Sequence, residues 1–220
     1  MKTIFRNRPY HSEPVWHVQV AMLVAIALQL LLPDKYTFGS RYILIAVEGL
    51  LLAALSFTTP REPIFKSLSR RINVILLIVL TGIANCYALV LVAHALLETG
   101  HISNGKELIF TAVNIYLTNI IIFGLLYWEM DAGGPGERQR VHRHEHDFLF
   151  PQDQNPNFRH PEWLPSFIDY LYVAATNGMA FSPTDTLPLS RRAKLLMLCQ
   201  ATISLVALAL VAARAVNILS

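Results

Sequence analysis

The sequence predicts an all-α integral membrane protein with five transmembrane helices plus one re-entrant pore-type helix. Three observations predict it. Hydrophobic residues make up 54% of the 220 residues and charged residues only 15%, against about a quarter charged in soluble domains. The charge deficit is concentrated in long apolar runs rather than spread along helix faces. The charge that remains is asymmetric: 14 of the 18 Lys and Arg fall in alternate connecting segments.

A helix needs roughly 17–25 apolar residues to cross about 30 Å of hydrocarbon, and lipid offers a spanning backbone no other partner. Val15–Leu32 is the first such run, bounded by Pro14 and Pro33. It follows a basic start, Met1 to Tyr10, without the short apolar core and small-residue cleavage site of a signal peptide, so it reads as an uncleaved span. Tyr42–Phe57 is short and closes at Thr58-Thr59-Pro60. Ile72–Leu97 is the longest run, which implies tilt. Leu108–Trp128 and Leu195–Leu219 complete the five.

Trp163–Phe181 differs. It reads WLPSFIDYLYVAATNGMAF and contains Pro165 and Asp169, too polar for a lipid-facing span. Its end, Thr176-Asn177-Gly178, is expected to break the helix. A half-membrane helix enclosed by protein fits it, because irregular backbone at depth is tolerated only there. Glu129–Glu162 is the long polar segment, with Gly133, Gly134, Pro135 and Gly136 followed by Arg, His and Pro. It reads as a loop. Residues 1–107 then form a three-helix membrane bundle. Residues 108–220 form a second unit of fourth span, loop 129–162, re-entrant helix 163–181 and last span.

Basic residues favour the cytoplasmic side. Lys2, Arg6 and Arg8, then Arg61, Lys66, Arg70 and Arg71, then Arg138, Arg140, Arg143 and Arg159, then Arg191, Arg192 and Lys194 share one side if the amino terminus is inside and 163–181 does not cross. Lys35, Arg41 and Lys106 lie opposite. The alternative, in which 163–181 crosses, makes six spans and strands Arg191, Arg192 and Lys194 outside.

The stretch DYLYVAATNGMAFSPTD at 169–185 has the order of a pore-loop module: short helix, Thr-x-Gly turn, Pro turn, long apolar helix. The helix would aim its partial negative end into the membrane, and the turn would offer carbonyls and the Thr176 hydroxyl to a cation. This stretch resembles the pore helix, filter and inner helix of tetrameric cation channels. Thr176 and Gly178 match the Thr-x-Gly. Met179 stands where an aromatic is usual, Ala180 where a second Gly belongs, and Asp185 comes late. The resemblance implies a cation-permeable pore, outside the usual potassium-selective pattern, in a homo-oligomer and by analogy a tetramer. Its filter would be Thr176, Asn177, Gly178, Met179, Ala180, Phe181 and Asp185. Over residues 108–219, YWEMDAGGPGER, TNGMAFSPTD and SRRAKLLML also resemble an uncharacterised family of bacterial multi-span membrane proteins. That implies a bacterial inner membrane and no established activity. A turn that merely packs a membrane hairpin remains the alternative to a pore.

Several polar residues lie within spans. Glu48 sits mid-span, and an intramembrane carboxylate is costly enough to be read first as functional. Asn85, Asn114, Thr118 and Asn119 are expected to pair with it or with one another. His17, Gln19 and Gln29 read as interfacial or packing residues. In the last span Thr202, Ala209 and Ala213 share a face on which small residues permit close helix approach, against a pore axis or an ordinary neighbour. Glu129 and Asp131 are expected at the cytoplasmic mouth, attracting cations or pairing with arginines. His142, His144 and His146 alternate along VHRHEHD, as a metal site or pH sensor requires and as a solvated loop also permits. Cys86 and Cys199 read as small buried apolar residues.

No nucleophile elbow, phosphate loop, zinc-protease helix or dinucleotide fingerprint is present, so neither an enzyme nor a cofactor is expected. A net charge of +3 gives no reason to expect nucleic acid, and the expected partners are the lipid bilayer, ions and further copies of the chain. Two readings compete with the channel: a non-conducting accessory protein, and a small proton-coupled transporter using Glu48.

Overall fold

The computed structural model describes residues 16–37, 41–58, 68–97, 105–135, 137–138, 146–155, 163–180 and 185–219. Each of the five apolar runs is a helix: α1 (Trp16–Leu30), α2 (Arg41–Thr58), α3 (Leu68–Leu97), α4 (Gly105–Met130) and α7 (Arg191–Leu219). A one-turn helix α5 (Pro151–Gln154) and a 14-residue helix α6 (Phe167–Ala180) complete the helical set among the described residues. Short 3-10 turns follow α1 at Asp34–Tyr36 and α4 at Asp131–Gly133. The departure from all-α is small. Strand β1 (Phe148–Leu149) pairs antiparallel with β2 (Leu187–Pro188), Leu149 opposite Leu187. Among the described residues, three segments are long and apolar enough to cross a membrane, Arg71–Leu96, Gly105–Gly133 and Arg191–Val216, while α1 and α2 are shorter apolar helices.

Helix α4 is the centre. It packs against α1, α3, α6 and α7, and from Thr118 onward its buried residues run around the whole circumference, as expected of a helix enclosed by others, while Phe110, Val113 and Leu117 leave one face of its first half exposed. Helix α6 crosses it at Gly124, where an added Cβ would lie 3.1 Å from Leu171 Cα. The glycine is required there for approach, not for conformation. At the end of α4 conformation does matter. Gly133 and Gly134 have φ of 82° and 101°, the left-handed region that glycine enters at little cost. They fold the chain back over α4.

The chain leaves along α6 and returns to the same end of the bundle. Before α6, Pro165 carbonyl accepts from Arg138 just past α4. After it, β2 pairs with β1 and Asp147 binds Arg192 at the start of α7. Running the length of the bundle, as a sixth span requires, is not what this segment does. Arg71 joins the same end through Glu129, 3.1 Å away, whereas Lys35 meets Glu107 at the opposite end, 2.8 Å away. These basic residues divide between two ends as the charge asymmetry of the sequence requires.

The expected helix break at Thr176-Asn177-Gly178 is corrected: α6 continues to Ala180. Thr176 hydroxyl turns back on the carbonyls of Tyr172 and Val173, 3.0 and 3.1 Å away. Asn177 and Gly178 are held from α7, so tertiary contacts override their turn preference. Asp169 accepts from the backbone N–H of Ser166 at 2.7 Å, the reach-back half of a capping box that starts α6. Cys86 and Cys199 are also corrected, being exposed on the outer surface.

Two glycines separate packing from propensity. Gly124→Val is expected to lower stability by about 1–3 kcal/mol through overpacking against Leu171. At Gly49 an added Cβ would meet nothing within 4 Å, so Gly49→Ala should gain up to about 1 kcal/mol. Thermal unfolding of the detergent-solubilised chain reads both.

Candidate functional site

Among the described residues, three buried polar clusters lie in the bundle, and they differ in how completely their hydrogen bonds are filled. The first locks α4, α6 and α7 together. Gln200 is fully buried. Its Oε1 accepts from Tyr127 hydroxyl at 2.6 Å and Asn177 Nδ2 at 2.9 Å, and its Nε2 donates to Ala174 carbonyl at 2.7 Å. Asn177 also donates to Met197 carbonyl, and Asn119 donates to Ser204 hydroxyl at 2.9 Å. Gly178 belongs to the same contact, since a Cβ there would lie 3.2 Å from Ser204 Oγ. Both ends of the Gln200 amide are answered, which is how a buried network stabilises one packing.

The second cluster is a charged knot past the end of α4. Asp131 is fully buried. Its Oδ1 accepts from the backbone N–H groups of Asp147 at 2.6 Å and Phe148 at 3.3 Å. Tyr170 hydroxyl donates to Oδ2, and His146 Nδ1 and Arg138 Nε lie 3.3 and 3.6 Å from it. Arg138 donates onward to the carbonyls of Trp128 and Pro165 and stacks on Tyr170, 4.6 Å from the ring centroid. Phe148 and Phe150 seat the loop on Tyr127 and Tyr170 with centroids 5.2–6.0 Å apart, the spacing of favourable aromatic pairs.

The third cluster, between α1, α2 and α3, is incompletely filled. Glu48 is fully buried. Its Oε1 lies 2.9 Å from Thr81 hydroxyl, which lies 2.8 Å from Leu77 carbonyl. A hydroxyl has one proton to donate, and a carbonyl only accepts. Both contacts are filled together only when Glu48 is protonated and donates to Thr81. Glu48 Oε2, the two amide atoms of buried Gln29 and the hydroxyl of buried Tyr36 make no hydrogen bond of full geometry. Gln29 nevertheless lies within reach of a looser bond to the Glu48 carboxyl, and Tyr36 within reach of one to Lys35. Gln29, Leu32, Tyr36, Thr37, Leu44, Ile45 and Ala84 line a small cavity of about 10 Å³, room for the centre of about one water. Lys35 lies over the Tyr36 ring at 4.9 Å. Its bond to the Glu107 carboxylate raises the Lys35 pKa, so it stays charged and neutralised.

The residues singled out from the sequence fall as follows. Thr176, Asn177, Gly178 and Met179 are helical, their backbone carbonyls no filter, and Met179 points outward. Ala180 ends α6, Asp185 is an exposed residue whose carbonyl accepts from Gln154, and Phe181 lies outside the described residues. Glu129 and Asp131 do not form an open mouth: both are buried, Glu129 on Arg71 and Asp131 in its knot. His142 and His144 lie outside the described residues. His146 is buried against Asp131, and among the described residues no group of three or more potential ligands could hold a metal. Thr202, Ala209 and Ala213 share the exposed face of α7.

The asparagines do not serve Glu48. Asn85 donates to Ile115 carbonyl, Asn114 to Leu28 carbonyl and Asn119 to Ser204. Sequence reasoning missed Gln29 and Tyr36 as partners of the Glu48 region. One signal for Gln29 was available, an amide set one turn inside the end of an otherwise apolar run. The chain matches no family model, no curated protein and no solved structure.

Asp131→Asn removes the charge that balances buried Arg138. The expected cost is about 3–5 kcal/mol, as for breaking one side of a buried ion pair. The same change at exposed Asp185 should stay within about 0.5 kcal/mol. Comparing the thermal unfolding of the two variants checks this.

Proposed function

We propose that the chain is a small multi-span protein of a bacterial inner membrane that moves protons, with Glu48 as the group that binds them. In this reading five helices cross, α6 enters and returns on the cytoplasmic side, and the amino terminus lies inside. One observation carries it: a fully buried carboxyl in an apolar bundle, with buried Gln29 and Tyr36 lining a small cavity on one side of it. An acid at mid-membrane costs about 2.5–3.5 kcal/mol on insertion scales. Such a group is retained most simply when its proton is used. The other two polar clusters, centred on the well-bonded Gln200 and Asp131, serve as the frame.

A homo-oligomeric cation pore is the second reading, and the exposed face bearing Thr202, Ala209 and Ala213 favours it, since a second copy can pack closely there. Its filter would have to lie elsewhere than in the helical Thr176–Ala180 stretch.

The test is proton flux in liposomes containing the full chain, followed with an internal pH dye. Glu48→Gln keeps the shape and removes the titrating group. Flux is expected to fall at least roughly tenfold in that variant, a barrier rise of about 1.4 kcal/mol. No protein-dependent proton movement from about pH 5 to 8, or equal flux in the variant, would sink the reading. Bilayer recording in sodium, potassium and chloride decides the second reading: its pore requires discrete conductance that Glu48→Gln leaves intact.

A further inference from the structure

The surroundings of Glu48 are unlike on its two sides. Toward the Lys35 end, one helical turn away, Leu44 and Ile45 of α2 and Ala84 of α3 border the cavity, with Gln29, Tyr36 and Thr37 supplying its polar wall. Toward the Asp131 end, one turn the other way, Leu52 of α2, Leu77 and Ile78 of α3, and Met22 and Ile26 of α1 are all buried in one apolar cluster. Gln29 bridges the two levels, acting on Glu48 and lining the cavity.

We infer that Glu48 is the blind end of a half-path: it exchanges its proton with the Lys35 end through a one-water site between Gln29 and Tyr36, and the apolar cluster closes the other side. The inference rests on the proton-binding reading above and adds the side and route of access. A site of this size with two to four polar partners meets the requirements for a buried water. Gln29 offers a donor and an acceptor, Tyr36 a hydroxyl, and Thr37 a hydroxyl that already donates to Asp34 carbonyl and can still accept.

Glu48 does not itself line the cavity, so Gln29 turns aside for the water to reach the carboxyl. The carboxyl O–H bond then breaks, its electron pair stays on Glu48, and the proton makes the water a hydronium, which returns to neutral water by giving a proton to solvent water at the Lys35 end. Glu48 is left a carboxylate, and Thr81 turns its hydroxyl from Leu77 carbonyl to Oε1, keeping that oxygen bonded. The groups facing this step are Gln29 from α1, Thr81 from α3 and Tyr36 from the turn. The nearest cation across Tyr36 is Lys35, which is held by Glu107.

Two measurements on the full-length chain test the route. The infrared carboxylic-acid band that Glu48→Gln removes should shift quickly when water is replaced by D2O. Tyr36→Phe combined with Gln29→Leu should slow that shift at least roughly tenfold, a barrier rise of about 1.4 kcal/mol. An unchanged exchange rate overturns the route. The second measurement labels single cysteines with a membrane-impermeant thiol reagent, after Cys86 and Cys199 are replaced by Ala. Thr37→Cys and Ile45→Cys should react from the Lys35 side, and Leu52→Cys and Ile78→Cys should resist from both sides. Equal labelling of the two pairs overturns the closed side. Failure of the access inference leaves Glu48-dependent flux intact. Loss of the transport reading instead shows as absent flux with the labelling pattern preserved.

Discussion

The Asp131 carboxylate organises the carboxyl-terminal half of the molecule. It sits just past α4, fully buried, and donors converge on it from α6, the returning loop and Arg138. A buried charge is tolerable only when its lone pairs are answered and a counter-charge is near. Meeting that condition brings β1 beside α4, fixes where α6 begins through Tyr170, and places Asp147 to bind Arg192 at the start of α7. The glycine turn at 133–134 is what lets the chain double back sharply enough to supply those donors.

With that end fixed, Gln200 sets the register of α6 against α4 and α7. Its amide reaches three helical partners at once, and a shift of one residue along α7 would leave all of them unanswered in an apolar interior. The cost of an unsatisfied buried group exceeds the modest gain from forming a hydrogen bond, so such a residue specifies an arrangement more than it strengthens it. Helix continuity through Asn177 and Gly178 follows from the same contacts. Residues that favour a turn in isolation are worth more here as a donor and as a close approach.

The Glu48 region is built on the opposite principle. In the frame clusters the oxygens of Gln200 and Asp131 are bonded at short range, whereas Glu48, Gln29 and Tyr36 hold looser contacts around a space of one-water size. Buried polar groups are nearly always satisfied in folded proteins, so loosely bonded ones beside a cavity of this size fit a site that takes up a water. The region is also carried by helices α1 and α2, whose packing on the centre is lighter than that of α6 and α7. In the proton-moving reading proposed above, the part that opens and closes then lies outside the tightly bonded frame.

The apolar runs were legible in sequence because a helix in apolar surroundings is written directly in composition: a backbone away from water pairs internally, and its side chains are apolar. Helices α1 to α4 and α7 follow from that alone, as do the separation of basic residues between two ends and the odd status of 163–181 and Glu48. The fate of short polar signals was decided by tertiary structure. Thr-x-Gly reads as a turn until Ser204 and Gln200 are seen packed against it, and Glu129 with Asp131 reads as an open mouth until Arg71, Arg138 and the folded loop are seen covering them. A polar residue carries the same letters whether it is answered by a neighbour or left open. Only the positions of its partners, brought together from distant parts of the chain, distinguish the two.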